Sequence, residues 1–285
     1  MSPSSRPRRS SSLPAERVRA RRPPRFDLDA LASELADADP GVVRRAVDRV
    51  GAHLARLNDA DFRRAVEMLT SLFYVDIADL PDLEAVLDHA VDVLAARGRR
   101  VVPHLLRQMQ GSDIKSHLWL ARALGLMGAE ALPSLRTLLA TAEDPYARAF
   151  ALYAIGKMST PGVARALPEV IGSLMHPDRE VRDSAARTLG RIAAAAPAKS
   201  FTPRRRRAMF ETLLRAAGDA QPAVRAKAMR SLGKMTAAGL LNRPQRRILE
   251  AAARAALGEG ESYTWDHAYI VRREARETLD ALQRA

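Results

Sequence analysis

The apolar positions of the chain recur with a helical period inside a segment that is itself repeated. The segment HPDREVRDSAARTLGRI begins at His176, and two similar segments, AEDPYARAFALYAIGKM and DAQPAVRAKAMRSLGKM, begin at Ala142 and Asp219. In each segment, small or apolar residues stand 3, 7 and 10 positions after a reference residue, which is Arg182 in the first segment. At 100° per residue these offsets share one face of a helix, so the pattern predicts an amphipathic α-helix in every copy.

Weaker copies of the segment extend this pattern toward both ends of the chain. The reference residues of the six copies are Val43, His117, Arg148, Arg182, Arg225 and Arg272. Four positions before the reference, four copies carry an aspartate: Asp39, Asp113, Asp144 and Asp178. An aspartate there predicts an N-cap, because its carboxylate accepts hydrogen bonds from the unpaired N–H groups of the first turn.

A glycine stands eight positions after the reference, in the middle of the predicted helix. Five copies carry it: Gly51, Gly125, Gly156, Gly190 and Gly233. Glycine inside a helix costs about 1 kcal/mol relative to alanine. Its recurrence therefore predicts that a neighbouring helix packs closely against each of these positions.

A second motif precedes three of these helices at a nearly fixed distance. The sequences VVPHLL, ALPSLR and ALPEVI place Pro103, Pro133 and Pro168 at 22, 23 and 22 residues before a repeat glycine. Proline is tolerated in the first turn of a helix. Each repeat unit is therefore predicted to be a pair of helices, the first with an early proline and the second with the glycine. The predicted pairs span residues 27–56, 59–98, 99–127, 129–158, 160–195, 202–236 and 242–283, with 81–98 matching the pattern least well.

These two motifs together resemble the HEAT-repeat family, specifically its short bacterial type related to the PBS-lyase repeats. The resemblance covers most of residues 99–236, with weaker coverage on either side. It implies an all-α fold, a right-handed α-solenoid of about seven stacked antiparallel helix pairs, over residues 27–285. It also implies a binding scaffold without enzymatic activity, whose second helices line the concave side. The DNA glycosylases and bilin lyases that share this fold leave a solenoid enzyme as an alternative.

The excess of basic residues is divided between the N-terminal tail and the predicted solenoid. The net charge is +13, and residues 1–26 hold eight arginines against one acidic residue, Glu16. The tail is rich in Pro, Ser and Arg, and we predict that it is disordered. Arg outnumbers Lys by 41 to 5, which indicates the codon bias of a GC-rich genome and makes the lysines the more informative cations.

The repeat register also predicts which residues of the second helices face away from the stack. Offsets 5 and 9 lie opposite the buried offsets, and offset 2 lies on the flank. The predicted partner-binding residues comprise a basic stripe (Arg122, Lys157, Arg187, Arg191, Lys227, Arg230 and Lys234) and an aromatic cluster at its N-terminal end (Trp119, Phe150 and Tyr153). Three of the five lysines fall on this stripe. The competing interpretation is a solvated polar face, with the three aromatic residues packed between adjacent helices.

Several classes of chemistry are excluded or lack a motif. The chain has no cysteine, which excludes disulfides and Cys-based zinc sites, and its six histidines fall at no metal-ligand spacing. We find no catalytic residues, and we predict no cofactor, no metal and no small-molecule substrate. The expected partner is another protein with an acidic surface or segment, and the alternative is nucleic acid, bound by the tail and the basic stripe.

No apolar run approaches the length of a membrane span, and the N-terminus lacks the apolar segment of a secretory signal. The Arg- and Ser-rich start also resembles a transit peptide, but its prolines disfavour an amphipathic helix there. The sequence thus predicts a soluble cytoplasmic protein that does not bind membranes.

Overall fold

The computed structural model describes residues 26–111, 114–260 and 264–285. Within these residues the chain forms fourteen α-helices and no β-sheet. The first helices of the successive pairs are α1 (Leu28–Leu35), α3 (Asp59–Ser71), α5 (Val102–Gly111), α7 (Leu132–Thr141), α9 (Leu167–Ser173), α11 (Pro203–Ala216) and α13 (Arg243–Ala256). The second helices are α2 (Pro40–Leu54), α4 (Glu84–Ala95), α6 (Ile114–Met127), α8 (Pro145–Lys157), α10 (Arg179–Ala195), α12 (Pro222–Ala237) and α14 (Tyr269–Arg284).

The seven helix pairs stack into one α-solenoid, which confirms the predicted fold class. Each of the seven predicted ranges corresponds to one pair, and only α12 and α14 extend past their predicted range, by one residue each. The second pair is the irregular one, because two 3₁₀ turns, Leu72–Tyr74 and Pro81–Leu83, separate α3 from α4. This long connection explains why 81–98 matched the repeat poorly. The predicted tail, residues 1–26, lies outside the described residues except for Phe26.

The helix starts follow the predicted chemistry. The carboxylates of Asp39, Asp144 and Asp178 accept hydrogen bonds from backbone N–H groups of the first turns of α2, α8 and α10. The predicted N-cap Asp113 lies outside the described residues. Each of the three motif prolines occupies the second position of a first helix, in α5, α7 and α9, where no intrahelical hydrogen bond is lost.

The repeat glycines lie where the next second helix approaches most closely. A Cβ at Gly190 would stand 2.8 Å from Ser231 Cβ and 2.9 Å from its Cα, and a Cβ at Gly125 would stand 2.8 Å from Lys157 Cβ. Close contacts of the same kind arise at the other three: Gly51, Gly156 and Gly233. The prediction of a close neighbour is confirmed at all five positions.

Side-chain hydroxyl groups form hydrogen bonds between neighbouring second helices close to the repeat glycines. Thr188, Ser231 and Thr278 each donate a hydrogen bond to a backbone carbonyl of the preceding second helix, at 2.8, 2.7 and 3.1 Å. All three stand six positions after a reference residue, where the copies at His117 and Arg148 carry alanine and the copy at Val43 carries Arg49. The recurring hydroxyl of the last three copies is a sequence signal for this contact, and it was not among the predictions.

The reference arginines brace the turns between successive units. Arg225 donates to the carbonyl oxygens of Asp219 and Ala220 in its own turn, and it forms a bidentate ion pair with Asp266 in the next turn at 2.6 and 2.8 Å. Arg182 makes the same arrangement with Asp219. Because Arg225 and Asp266 are largely buried, this pair contributes more than an exposed one would.

We expect Arg225→Ala to lower the free energy of unfolding by about 2 kcal/mol, because a largely buried carboxylate loses its ion-pair partner and keeps only the Ala268 N–H as a donor, and two carbonyls lose theirs. The hydrogen bond from Arg225 holds the pKa of Asp266 below its usual value of 3.8. The stabilisation is thus present above about pH 3.8 and is lost as pH falls through the lower folded-state pKa. Urea titrations at several pH values measure both effects.

The control for this variant is Arg207→Ala, which removes an exposed i,i+4 pair with Glu211. Such pairs contribute little, so the control should unfold like the wild type. Equal behaviour of the two variants would contradict the bracing role of the reference arginines.

The two layers of the solenoid are packed unequally. Neighbouring second helices contact each other along more of their length than neighbouring first helices do. In a curved stack of repeats the more closely spaced layer lies on the inner side. We therefore expect α2, α4, α6, α8, α10, α12 and α14 to line the concave side.

Candidate functional site

The predicted partner-binding residues come from four consecutive second helices, α6, α8, α10 and α12. Of the seven cations of the basic stripe, only Lys157 is exposed. The other six are half-buried: Arg122, Arg187, Arg191, Lys227, Arg230 and Lys234. The stripe is therefore partly buried between neighbouring helices and does not follow their most exposed positions.

The aromatic cluster does not form an exposed platform. Trp119 is only 5% exposed, and its ring lies 6.0 Å from that of Phe73, nearly parallel to it. Phe150 is half-buried and packs edge-on against His117 at 5.1 Å. The prediction that Trp119 faces the groove is wrong, because the irregular turn after α3 places Phe73 against its ring. For Trp119 and Phe150 the competing interpretation, packing between helices, is correct.

Two of the three aromatic residues contact cations of the stripe: Arg122 lies over the ring of Trp119, at 4.7 Å, and Tyr153 contacts two cations. Its half-buried ring lies 5.3 Å from Lys157 Nζ and 5.4 Å from the guanidinium carbon of Arg191. Both are cation–π distances. Arg191 also passes over Gly156, where a Cβ would stand 3.1 Å from its Cδ. The glycine of α8 thus makes room for a cation of α10.

Five cations of the stripe line one pocket between α10 and α12. The pocket has a volume of about 230 Å³, and its lining residues are Arg187, Arg191, Lys227, Arg230, Ser231 and Lys234. Residues three, four and seven apart lie on one helix face, which brings the lining residues of each helix into line. The close approach of Gly190 to Ser231 then joins the two lines into one cluster.

Two carboxylates hold three of these cations in place. Asp183 accepts from both Arg187 and Lys227 at 3.1 Å. Glu274 of α14 is completely buried and pairs with Arg230, with Nε to Oε2 at 2.8 Å. Burial alone would raise the pKa of Glu274, but hydrogen bonds from Arg230 and Arg273 outweigh it and keep the pKa below its usual value.

Neither carboxylate was among the residues predicted from the sequence. Asp183 stands four residues before Arg187, a spacing that predicts an ion pair on a helix. No comparable sequence signal links Arg230 to Glu274, 44 residues away.

The remaining two cations, Arg191 and Lys234, have no carboxylate partner among the residues that the structure describes. Burial lowers the pKa of Arg191, and the nearby Arg187 adds to this effect. Burial also lowers the pKa of Lys234, and repulsion from Arg191 and Arg230 lowers it further. The pocket thus concentrates positive charge at a cost to the fold, which is the arrangement expected where a ligand supplies the opposite charge.

We expect Lys234→Met to raise the free energy of unfolding by about 0.5 kcal/mol, because it keeps the aliphatic stem and removes a disfavoured charge. The folded-state pKa of Lys234 lies below the usual 10.5. Between this lowered pKa and pH 10.5, the unfolded wild type binds more protons than the folded protein does. The stability of the wild type should therefore rise with pH in this interval. The variant should lack this rise in denaturant titrations, whereas a marked loss of stability would show that Lys234 is a stabilising group.

Other chemistry finds little support in the described part of the chain. No group of three or more His, Asp or Glu side chains is gathered there in a way that could hold a metal ion. Among the same residues, no helix combines the length and the apolar character that crossing a bilayer requires.

The comparisons with known proteins agree with the α-solenoid fold. The sequence model of the family described as HEAT repeats matches residues 132–203, which hold the pairs α7–α8 and α9–α10. These residues form HEAT repeats, which confirms the predicted resemblance there. No curated protein matches the chain in sequence.

Several solved structures share the fold of this chain. An engineered protein superposes with a TM-score of 0.52 at 19% identity, over 91% of this chain and 99% of its own. Kap95 from the Kap95:Nup1 complex gives a TM-score of 0.56 at 16% identity, and importin beta gives 0.51 at 17%. These two matches cover 90% of this chain, which spans only 35% and 36% of theirs. At such identities the likeness concerns the fold alone.

Proposed function

We propose that the chain is a non-enzymatic scaffold that holds an acidic segment of another protein on its concave side. The observation that carries this proposal is the pocket between α10 and α12, where five cations converge and two of them, Arg191 and Lys234, lack a carboxylate partner within residues 26–111, 114–260 and 264–285. An acidic side chain would supply the missing opposite charge at a half-buried site, where charged hydrogen bonds are strong. Lys157 and Arg122 would extend the contact along the basic stripe.

The fold supports this proposal. HEAT and armadillo solenoids commonly serve as protein-binding scaffolds, and Kap95 is seen in complex with Nup1. A curved stack of repeats offers an extended concave surface to a partner chain. In this chain the second helices form that surface and carry the basic stripe.

Nucleic acid fits the same surface less well. Proteins that bind single strands without sequence preference combine a basic groove with aromatic rings on which bases stack. Here Trp119 is buried, Phe150 packs on His117, and the ring of Tyr153 is occupied by Lys157 and Arg191. The stripe thus provides charge without a stacking platform.

The experiment that tests the proposal compares two labelled probes, a short Glu-rich peptide and a single-stranded oligonucleotide of similar charge. Fluorescence anisotropy with the full chain should show tighter binding of the peptide, and its affinity should fall gently with salt. If the oligonucleotide bound more tightly, and its affinity fell by several log units per log unit of salt, the protein-scaffold proposal would be wrong.

A further inference from the structure

The pocket between α10 and α12 is the size of a single chemical group. Its volume is about 230 Å³, below the roughly 300–1,000 Å³ of sites that enclose a whole drug-sized ligand. Its lining is formed by five cationic side chains and Ser231, whose hydroxyl already donates to Ala186 O. The pocket therefore suits one compact anion, or one anionic group at the end of a side chain.

The charge around this pocket exceeds what a single carboxylate can neutralise. Among the described residues, Asp183 and Glu274 pair with three of its five cations, so two negative charges face five positive ones and leave an excess of three. Glu274 is moreover shared with Arg273. A carboxylate brings one negative charge, whereas a phosphate monoester brings about −1.5 to −2 at neutral pH.

The donors at the pocket also exceed what a carboxylate can accept. Arg187 Nε and Arg191 Nη1 are buried and donate to no protein acceptor among the described residues. An unpaired buried donor is costly, so an acceptor oxygen that these two groups reached by a small side-chain rotation would recover that cost. Lys234 adds an ammonium group that pairs with no carboxylate in the part of the chain that the structure describes. The three acceptor oxygens of a phosphate match this set better than the two of a carboxylate.

The cations are also held in place before any ligand arrives. Asp183 fixes Arg187 and Lys227, Glu274 fixes Arg230, and the ring of Tyr153 supports Arg191. Prior orientation of this kind reduces the entropy that binding would otherwise cost.

From this geometry we infer that the pocket is a subsite for one phosphate group, which the acidic partner presents as a phosphorylated side chain. The inference rests on the proposed function, since it names the group that the acidic segment inserts between α10 and α12. Free phosphate shares the chemistry, and the test below separates the two sources.

The test uses the full chain and three Glu-rich peptides that differ at one central residue, which is phosphoserine, serine or glutamate. Calorimetry should show the phosphoserine peptide binding at least about tenfold more tightly than the other two, because it adds charge-assisted hydrogen bonds. Inorganic phosphate at constant ionic strength should compete with it, and chloride should not.

Arg191→Met with Lys234→Met should abolish the preference for phosphoserine. The matched control is Arg204→Met with Arg247→Met, two exposed arginines on α11 and α13 that change the net charge equally and lie outside the pocket. The control should keep the preference. Lys234→Met alone, which we expect to fold, should reduce the preference severalfold even if the double variant proves unstable.

Each outcome decides between distinct conclusions. Equal binding of the three peptides, with all three lost in the double variant, would overturn the phosphate subsite and leave the acidic-segment proposal standing. Binding of inorganic phosphate at the pocket, with no peptide binding, would support a free-phosphate site and overturn the scaffold proposal. A preference that survives in the double variant would overturn the assignment to this pocket. Displacement of the phosphoserine peptide by a more tightly bound oligonucleotide would instead assign the site to a nucleic-acid backbone.

Discussion

Reversing Arg191 and Lys234 to Glu should weaken binding of a Glu-rich peptide by at least about 100-fold while the chain stays folded. Both cations line the pocket between α10 and α12, and neither has a carboxylate partner among the described residues. Replacing a half-buried charge contact with repulsion costs several kcal/mol of binding free energy. Anisotropy titration with the labelled peptide measures the loss, and circular dichroism checks the fold.

The control for this reversal is Arg204→Glu with Arg247→Glu, which changes the net charge by the same amount on exposed parts of α11 and α13. Its affinity should stay within about threefold of the wild type, since distant exposed charges are screened by salt. A similar loss in both double variants would show that the peptide responds to overall charge and not to the pocket.

Arg230 is a poor choice for such a reversal, although the sequence places it on the same stripe. Its partner Glu274 is completely buried. A glutamate at position 230 would set a second carboxylate beside the first, and the fold would suffer before binding could be measured. The two cations without carboxylate partners give the cleaner test.

Gly190→Leu should lower the free energy of unfolding by about 3 kcal/mol, the largest effect on stability that we expect from a single substitution in the stack. A side chain at this position meets the Cα of Ser231 as well as its Cβ, so rotation of Ser231 cannot relieve the clash. The helices α10 and α12 would have to separate, and the hydrogen bond from Ser231 to Ala186 O would be lost.

The matched control is Gly172→Ala in α9, where a new Cβ meets nothing within 4 Å. This change should stabilise the chain by a few tenths of a kcal/mol or more, because alanine is the better helix former. Urea denaturation of both variants gives the comparison. If Gly190→Leu were tolerated as well as Gly172→Ala, the repeat glycines would not be required for the close packing of the second helices.

The architecture could be predicted from the sequence because each copy of the repeat is an independent check on the others. A pattern found in six copies predicts the same helix pair each time, and the glycine at one offset predicted the close contact later seen at Gly125 and Gly190. The caps at Asp144 and Asp178 followed from local backbone chemistry alone. Such features depend on short spacing in the chain, which a sequence displays directly.

The parts that could not be predicted depend on how neighbouring units meet. Offset 2 lies at the border of the buried face, and Trp119 became buried only because Phe73 comes from an irregular turn that the repeat does not describe. The pairing of Arg230 with Glu274 depends on the register of α12 against α14. The sequence therefore placed the cations on one face but did not show which of them lack a carboxylate partner.

The measurement that tests the central claim most directly is the acetylation rate of each of the five lysines, with and without the Glu-rich peptide, followed by mass spectrometry of the full chain. Lys227 and Lys234 line the pocket, whereas Lys115 and Lys199 lie elsewhere on the chain. The account predicts that the peptide protects Lys227 and Lys234 and leaves Lys115 and Lys199 unchanged. Protection of Lys115 or Lys199, with Lys227 and Lys234 reacting as before, would contradict it.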